Sequence, residues 1–260
     1  HAEKVEEDPA VVLTIRDSQG NVVRKLEGPA KAGFQRVAWD LRYPESAPWT
    51  DKPQHNYMVF PGPLAAPGDY TVSLAIRTNG VLKDTGQQTP IHVKLMRQNS
   101  LASASPEEVV AFSKRLDNLM RQGRGAESAM KALLGELGAI KQTLLRSGAE
   151  SELRSRARSL EVEIMNLQLS LSGDERRSLA GDPGPVSVQR RLMVALMGTS
   201  FSTYGPAPMH EQSLQIGEQG FVSIKSALDR IVDTDMPALR KALDDAGVPW
   251  TPGRGVPAGD

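Results

Sequence analysis

The chain of 260 residues is 39% hydrophobic and 24% charged, a composition that is typical of a folded protein and excludes a disordered one. Its 31 basic and 31 acidic side chains cancel, so the chain lacks the basic surplus that binding to nucleic acid requires. Cysteine is absent, which excludes disulfides, cysteine-ligated metals and thiol catalysis.

The length favours two domains, and the hydrophobic period changes from two residues to 3.6 across a Ser-rich linker at 98–105. No run approaches the roughly 20 apolar residues of a membrane span. The opening, "HAEKVEEDPA", is too charged for a signal peptide and has no Met. We therefore expect the chain to be the later part of a longer protein.

Residues 1–97 carry the alternating hydrophobic pattern of half-buried antiparallel strands. The pattern is carried by Val11, Leu13 and Ile15 in the first run and by Tyr70, Val72, Leu74 and Ile76 in a later one. The pair Asn79 and Gly80 favours a type I′ hairpin, because both residues tolerate positive φ. About seven short strands of this kind predict an immunoglobulin-like antiparallel β-sandwich.

The stretch "FQRVAWDLR", residues 34–42, also alternates, and we interpret it as one of these strands. Trp39 shares a face with Val37 and Leu41 in this pattern, which predicts that its indole points into the core of the sandwich.

The connection at 43–66 is long for a compact domain, and connections of this length tend to be functional or disordered. Its candidate ligand-binding or domain-docking residues are Trp49, Asp51, His55, Tyr57 and Phe60. Aromatic side chains on such a loop either dock a neighbouring domain or stack on a sugar. Docking is the preferred hypothesis, because "YMVF" is aliphatic as well as aromatic.

Residues 106–248 predict an antiparallel bundle of four to five helices, followed by an irregular tail at 249–260. Ser105, Pro106 and Glu108 form a complete helix start with a capping box. Gly123 and Gly125 are expected to end the first helix, and a second helix continues to Gly148. The third helix has a stripe of Leu153, Ala157, Leu160, Ile164, Leu167 and Leu171.

The remaining helices follow an interruption by "SGDERRSLAGDPGP", whose Pro and Gly residues are expected to exclude a helix. A shorter helix is predicted at 187–197, and a long one begins near Pro208. Pro237 is expected to kink or break this long helix, because proline has no backbone N–H.

Motifs of catalysis and metal binding are missing from the sequence, and we expect no catalytic residue, metal or cofactor. His210 opens "HEQSL", but Leu214 stands where a zinc motif has its second histidine. His92 alternates with Ile91 and Val93, which indicates a solvated strand residue. The acidic pairs 150/152, 233/235 and 244/245 each lie near a helix end or on a polar helix face, and Asp233 is expected to cap a new helical segment, so none of them requires a catalytic role.

The first half of the chain resembles the immunoglobulin-like module of the flagellar hook-capping protein. The pattern is strand, D-x-x-G-x-x-V, A-G-x-x-x-x-x-W-D and P-G-x-Y-x-V. It is filled by Asp17, Gly20, Val23, Ala32, Gly33, Trp39, Asp40, Pro67, Gly68, Tyr70 and Val72. The long loop at 43–66 departs from the compact hook module, so the resemblance does not extend to hook capping.

The whole chain, with "GPAPMHEQSLQIGE" and "LDDAGVPWTPGR", is similar to the C-terminal region of large bacterial proteins that carry sortilin-type or Asp-box β-propellers and a glycosyl-hydrolase-like label. The resemblance implies an α+β accessory region of a secreted or periplasmic protein, and an upstream propeller as partner. The expected function is therefore to cap, space or position that propeller without catalysis. The alternative is a carbohydrate-binding module that holds a glycan with the aromatic residues of the loop.

Overall fold

The computed structural model describes residues 7–45, 62–96, 101–147, 151–182, 184–202 and 204–255, and for Glu175 it describes the backbone alone. The protein is α+β, with antiparallel strands followed by helices. It divides into two compact units. The sheet unit comprises residues 1–117 and 200–205, and the helical unit comprises residues 118–199 and 206–260.

The sheet unit contains four antiparallel strands, β1 (Ala10–Asp17), β2 (Val22–Pro29), β3 (Gly68–Thr78) and β4 (Val81–Val93). Their order across the sheet is β2-β1-β3-β4. Asn79 and Gly80 join β3 to β4 with φ angles of 52° and 72°, which confirms the predicted hairpin turn.

One face of the sheet carries the core of this unit. Ile15, Val23, Tyr70 and Ala65 form the buried cluster, and Trp39 packs against it. Val37 lies over Gly28 of β2, where a Cβ atom would come within 2.8 Å of the valine side chain. An irregular segment therefore covers this face.

The prediction of a strand at 34–42 was wrong, because residues 34–41 have irregular backbone and Arg42 forms only an isolated bridge with Leu64. Trp39 nevertheless packs on the core, whereas Leu41 is exposed and has a φ of 58°. Within the described ranges there is one four-stranded sheet, and no second sheet faces it. Only Val37 and Trp39 of the alternating set are partly buried, and they reach the sheet from a segment that needs no strand pairing to do so.

The opposite face of the sheet is spanned by a charged side chain. Arg77 of β3 reaches across β1 to Glu27 of β2, with Nη1 2.7 Å from Oε1, and its Nε lies 3.1 Å from Glu7. Ala10 and Val12 of β1 lie on the same face and are buried. The aliphatic part of the arginine thus lies on the same sheet face as these two buried residues.

The helices are α1 (Pro106–Ser147), α2 (Ser151–Ser172), α3 (Glu175–Leu179), α4 (Val188–Ser200), α5 (Pro208–Arg230) and α6 (Met236–Asp245). The Ser105 hydroxyl accepts from the amide of Glu108, whose carboxylate accepts from the amide of Ser105, so the predicted capping box is confirmed. The prediction that Pro and Gly exclude any helix between α2 and α4 was wrong, because α3 forms there with Asp174 as its N-cap.

The prediction that α1 ends at Gly123 or Gly125 was wrong, because the helix is continuous through both. Its buried residues recur with alternating spacings of four and three, and Gly123 occupies one of these positions. The buried set is Phe112, Leu116, Leu119, Gly123, Ala126, Met130, Leu133, Leu137, Ile140 and Leu144. Burial of a continuous stripe outweighs a glycine penalty of about 1 kcal/mol.

Pro237 does not break the last long helix. Residues Ile231–Asp235 form a π-helical turn between α5 and α6, and the amide of Met236 donates to the carbonyl of Ile231. The wider turn accommodates a proline that has no N–H to donate, so the helical path continues and Ile231, Met236 and Leu239 stay buried.

Candidate functional site

The five candidate residues Trp49, Asp51, His55, Tyr57 and Phe60 lie outside the described residues. The described chain reaches Glu45 before this segment and resumes at Gly62 after it. The site can therefore be built from the two flanking segments, which hold the ends of the loop.

The two flanks pair with each other. The amide of Tyr43 donates to the carbonyl of Pro63 at 2.8 Å, and the amide of Ala65 donates to the carbonyl of Leu41 at 2.7 Å. Arg42 and Leu64 form an antiparallel bridge between these two hydrogen bonds. We call residues 41–45 and 62–65 the loop neck.

Side chains reinforce the neck by hydrogen bonding to its carbonyl groups. The indole Nε1 of Trp39 donates to Arg42 at 3.1 Å, and the guanidinium of Arg24 on β2 donates to Tyr43 at 3.2 Å. The guanidinium of Arg42 donates to Gly62 at 2.9 Å. These bonds tie both flanks to each other and one of them to the sheet.

Gly62 is required by the close approach of the two flanks. A Cβ atom at this position would lie 2.0 Å from the carbonyl oxygen of Tyr43 and 2.7 Å from that of Pro44. Since backbone atoms cannot move aside as a flexible side chain can, any other residue would force the flanks apart. The Pro-Gly pair at 61–62 signals a turn in the sequence, but not this contact.

An aromatic cluster supports the neck from the core side. The rings of Trp39 and Tyr70 meet edge to face with centroids 5.4 Å apart, and the Tyr70 hydroxyl donates to the carbonyl of Ala66 at 2.5 Å. Lys114 of α1 places its ammonium 4.4 Å from the ring centroid of Tyr43. Burial, followed by the nearby Tyr43, Asp17 and Glu107, raises the pKa of Tyr70, so its hydroxyl remains a donor at neutral pH.

Sequence reasoning found Trp39 and Tyr70 but missed the roles of Arg24, Arg42 and Lys114. Nothing in the local pattern distinguishes these three cations from other surface cations. Tyr43, the partner of both Arg24 and Lys114, lies 19 residues from the first and 71 residues from the second. Only the fold brings these groups together.

The histidines within the described ranges have structural partners. His210 accepts the amide of Ala207 at 3.1 Å on Nδ1 and so caps α5. His92 pairs across β3 and β4 with Asp69, with Nδ1 2.5 Å from the carboxylate. No group of three metal-ligating side chains occurs in the part of the chain that is described.

The carboxylates near the helix ends also have cationic partners. Asp245 pairs with Lys241 at 2.6 Å, and Asp244 pairs with Arg254. Asp235 lies 3.0 Å from Arg230 at the end of the π-helical turn. These ion pairs give Asp235, Asp244 and Asp245 structural partners. The prediction that Asp233 caps a new helix was wrong, because it lies inside the π-helical turn that joins α5 to α6.

None of the helices in the described ranges combines the length and the apolar character that a membrane crossing requires. No protein-family model, curated protein or solved structure matches the chain.

Proposed function

We propose that this chain is a non-catalytic interaction region that presents the 43–66 loop to a neighbouring domain. The observation that supports this proposal is the loop neck, in which the two flanks pair with each other and the first flank is hydrogen bonded to Arg24 of β2 and to Trp39. Because the neck holds both ends of the loop, the loop has less conformational entropy to lose on binding. A smaller entropy loss favours recognition.

The proposed partner is an upstream β-propeller of a secreted or periplasmic protein, which the chain caps, spaces or positions. In this proposal the sheet unit is a reduced immunoglobulin-like module in which residues 31–45 replace a second sheet. The helical unit is, in the same proposal, an antiparallel bundle. The charge balance of the chain fits a protein partner better than nucleic acid.

The proposal is tested by measuring the affinity of the chain for the propeller, expressed as a separate protein, by calorimetry. Trp49→Ala removes a loop aromatic residue, and Gly62→Ala forces the neck apart. We expect Trp49→Ala to weaken binding by about tenfold or more, because a central aromatic residue typically contributes about 2 kcal/mol. Gly62→Ala should also weaken binding, because it displaces the ends of the loop. Gly125→Ala, in an open position of α1, is the control and should bind as the native chain does.

Binding that is equal in the native chain, Trp49→Ala and Gly62→Ala would overturn the proposal. The same three proteins should also be titrated with soluble polysaccharides and peptidoglycan fragments, followed by tryptophan fluorescence. Saturable binding that is lost in Trp49→Ala would replace domain docking with the carbohydrate-binding alternative. Circular dichroism of each variant shows whether a loss of binding reflects the loop or a loss of folding.

A further inference from the structure

Helix α2 carries two apolar stripes on different sides. The inner stripe is buried and contains Leu153, Ala157, Ile164 and Leu171. The second stripe is exposed, begins with two arginines and continues with three apolar residues. We call it the outer α2 stripe; its members are Arg154, Arg158, Val162, Met165 and Leu169.

The spacing of the outer stripe is that of a helix-packing seam. Successive members are separated by 4, 4, 3 and 4 residues, so all lie along one side of the helix. Val162, Met165 and Leu169 are 46%, 51% and 48% exposed. A single exposed apolar residue is ordinary, but three in seam register form a narrow surface suited to one helix.

The arginine end of the stripe is positively charged, and both of its arginines are exposed. Within the described residues, no ion pair includes Arg154 or Arg158. The two acidic residues near the middle of the helix are engaged elsewhere, because Glu161 pairs with Lys141 of α1 and Glu163 pairs with Arg230 of α5.

We propose that the outer α2 stripe docks an amphipathic helix of a partner protein whose apolar seam is flanked by acidic residues. The seam spacing selects a helix, and the two unpaired arginines select carboxylates. A second copy of this chain is a poor occupant, since a parallel pair would oppose arginine to arginine. An antiparallel pair would place the arginines of one copy against Met165 and Leu169 of the other. Glu161 and Glu163 could not neutralise them there, because both carboxylates already pair with other cations.

This surface is independent of the 43–66 loop and is tested with a designed helical peptide that has leucine at its seam positions and glutamate beside them. Fluorescence anisotropy of the labelled peptide is measured against the full chain. We expect saturable binding that each of two variants weakens by about tenfold or more. Met165→Glu would bury a carboxylate in the apolar seam, and Arg158→Glu would oppose the glutamates of the peptide. Val222→Glu, at a 67% exposed position of α5, is the matched control and should leave binding unchanged.

A peptide in which lysine replaces every glutamate should not bind. The proposal is overturned if the acidic peptide fails to bind the folded chain, or if it binds Met165→Glu as tightly as the native chain. It is also overturned if sedimentation shows a dimer that Met165→Glu abolishes. Binding to phosphatidylglycerol vesicles that depends on Met165, without binding of the peptide, would assign the surface to a membrane instead.

Discussion

At the scale of single residues, the turn between β1 and β2 depends on the carboxylate of Asp17. One oxygen accepts from the amides of Gln19 and Asn21 at 3.0 and 2.9 Å, and the other accepts from the side-chain amide of Asn21 at 3.1 Å. Partial burial alone would raise the pKa of Asp17, but these hydrogen bonds together lower it below its ordinary value of 3.8.

This shift predicts a loss of turn stability in acid. A carboxyl group whose folded pKa is lowered contributes stability above its ordinary pKa of 3.8, and this contribution is lost as the pH falls through the lower folded value. We therefore expect the exchange protection of the Gln19 and Asn21 amides to decline below about pH 4. This protection is measured by amide hydrogen exchange, with each rate corrected for the intrinsic exchange rate at that pH. The decline should be absent in Asp17→Asn, and an identical decline in that variant would contradict the assignment.

At the scale of elements, α1 shows how a glycine can lie within a helix without ending it. Gly123 faces the interior, where its Cβ position lies 3.9 Å from Leu171 of α2, whereas Gly125 faces solvent with no atom within 4 Å. In α5, Gly217 lies closer to its neighbour, because a Cβ atom there would be 3.3 Å from Leu192 of α4. The three glycines therefore differ in what a methyl group would meet.

We expect Gly125→Ala to raise the free energy of unfolding by about 0.5–1 kcal/mol, because alanine restricts the unfolded chain and meets no neighbour in the helix. Gly217→Ala should give a smaller gain, since its methyl group presses on Leu192. Urea unfolding followed by the helical circular dichroism signal measures both. An equal gain in the two variants would show that close packing of α4 on α5 has no influence.

At the scale of the whole molecule, the end of the described chain is built into the helical unit. The buried carboxylate of Glu136 on α1 accepts two hydrogen bonds of 2.7 Å from Arg240 on α6, a residue 104 positions away. Gly253 lies against this carboxylate, and the buried Arg254 donates to the carbonyls of Val248 and Pro249. The described part of the predicted irregular tail is thus irregular in backbone but packed.

Gly253→Ala should be strongly destabilising. The residue has a φ of 91°, and a Cβ atom would lie 2.4 Å from the carboxylate carbon of Glu136, which Arg240 holds in place. We expect a loss of about 2–4 kcal/mol, because the variant combines backbone strain with a disturbed buried ion pair. Thermal unfolding measures the change, and Gly255→Ala, which has open space, is the control. Equal stability of the two variants would rule out this contact.

Features that depend on neighbouring residues could be predicted from the sequence. The capping box at Ser105 and Glu108 and the turn at Asn79 and Gly80 involve groups at most three positions apart, so their types alone indicate them. The strand at 34–42 was mispredicted because Val37 and Trp39 are partly buried although the segment pairs with no strand there, and Gln35 and Leu41 of the same pattern are exposed. The loop neck had no local signal, because Arg24 and Tyr43 are 19 positions apart.

By itself the sequence determined that strands come first in the chain and helices follow, and it located single caps and turns, since hydrophobic period, caps and turn residues act over a few neighbours. It also determined the absence of charge surplus and of cysteine chemistry. Only the tertiary structure decided that Gly123 continues a helix while Gly62 and Gly253 admit no side chain. The reason is physical: the role of a glycine depends on which atoms lie opposite it, and those atoms come from distant parts of the chain.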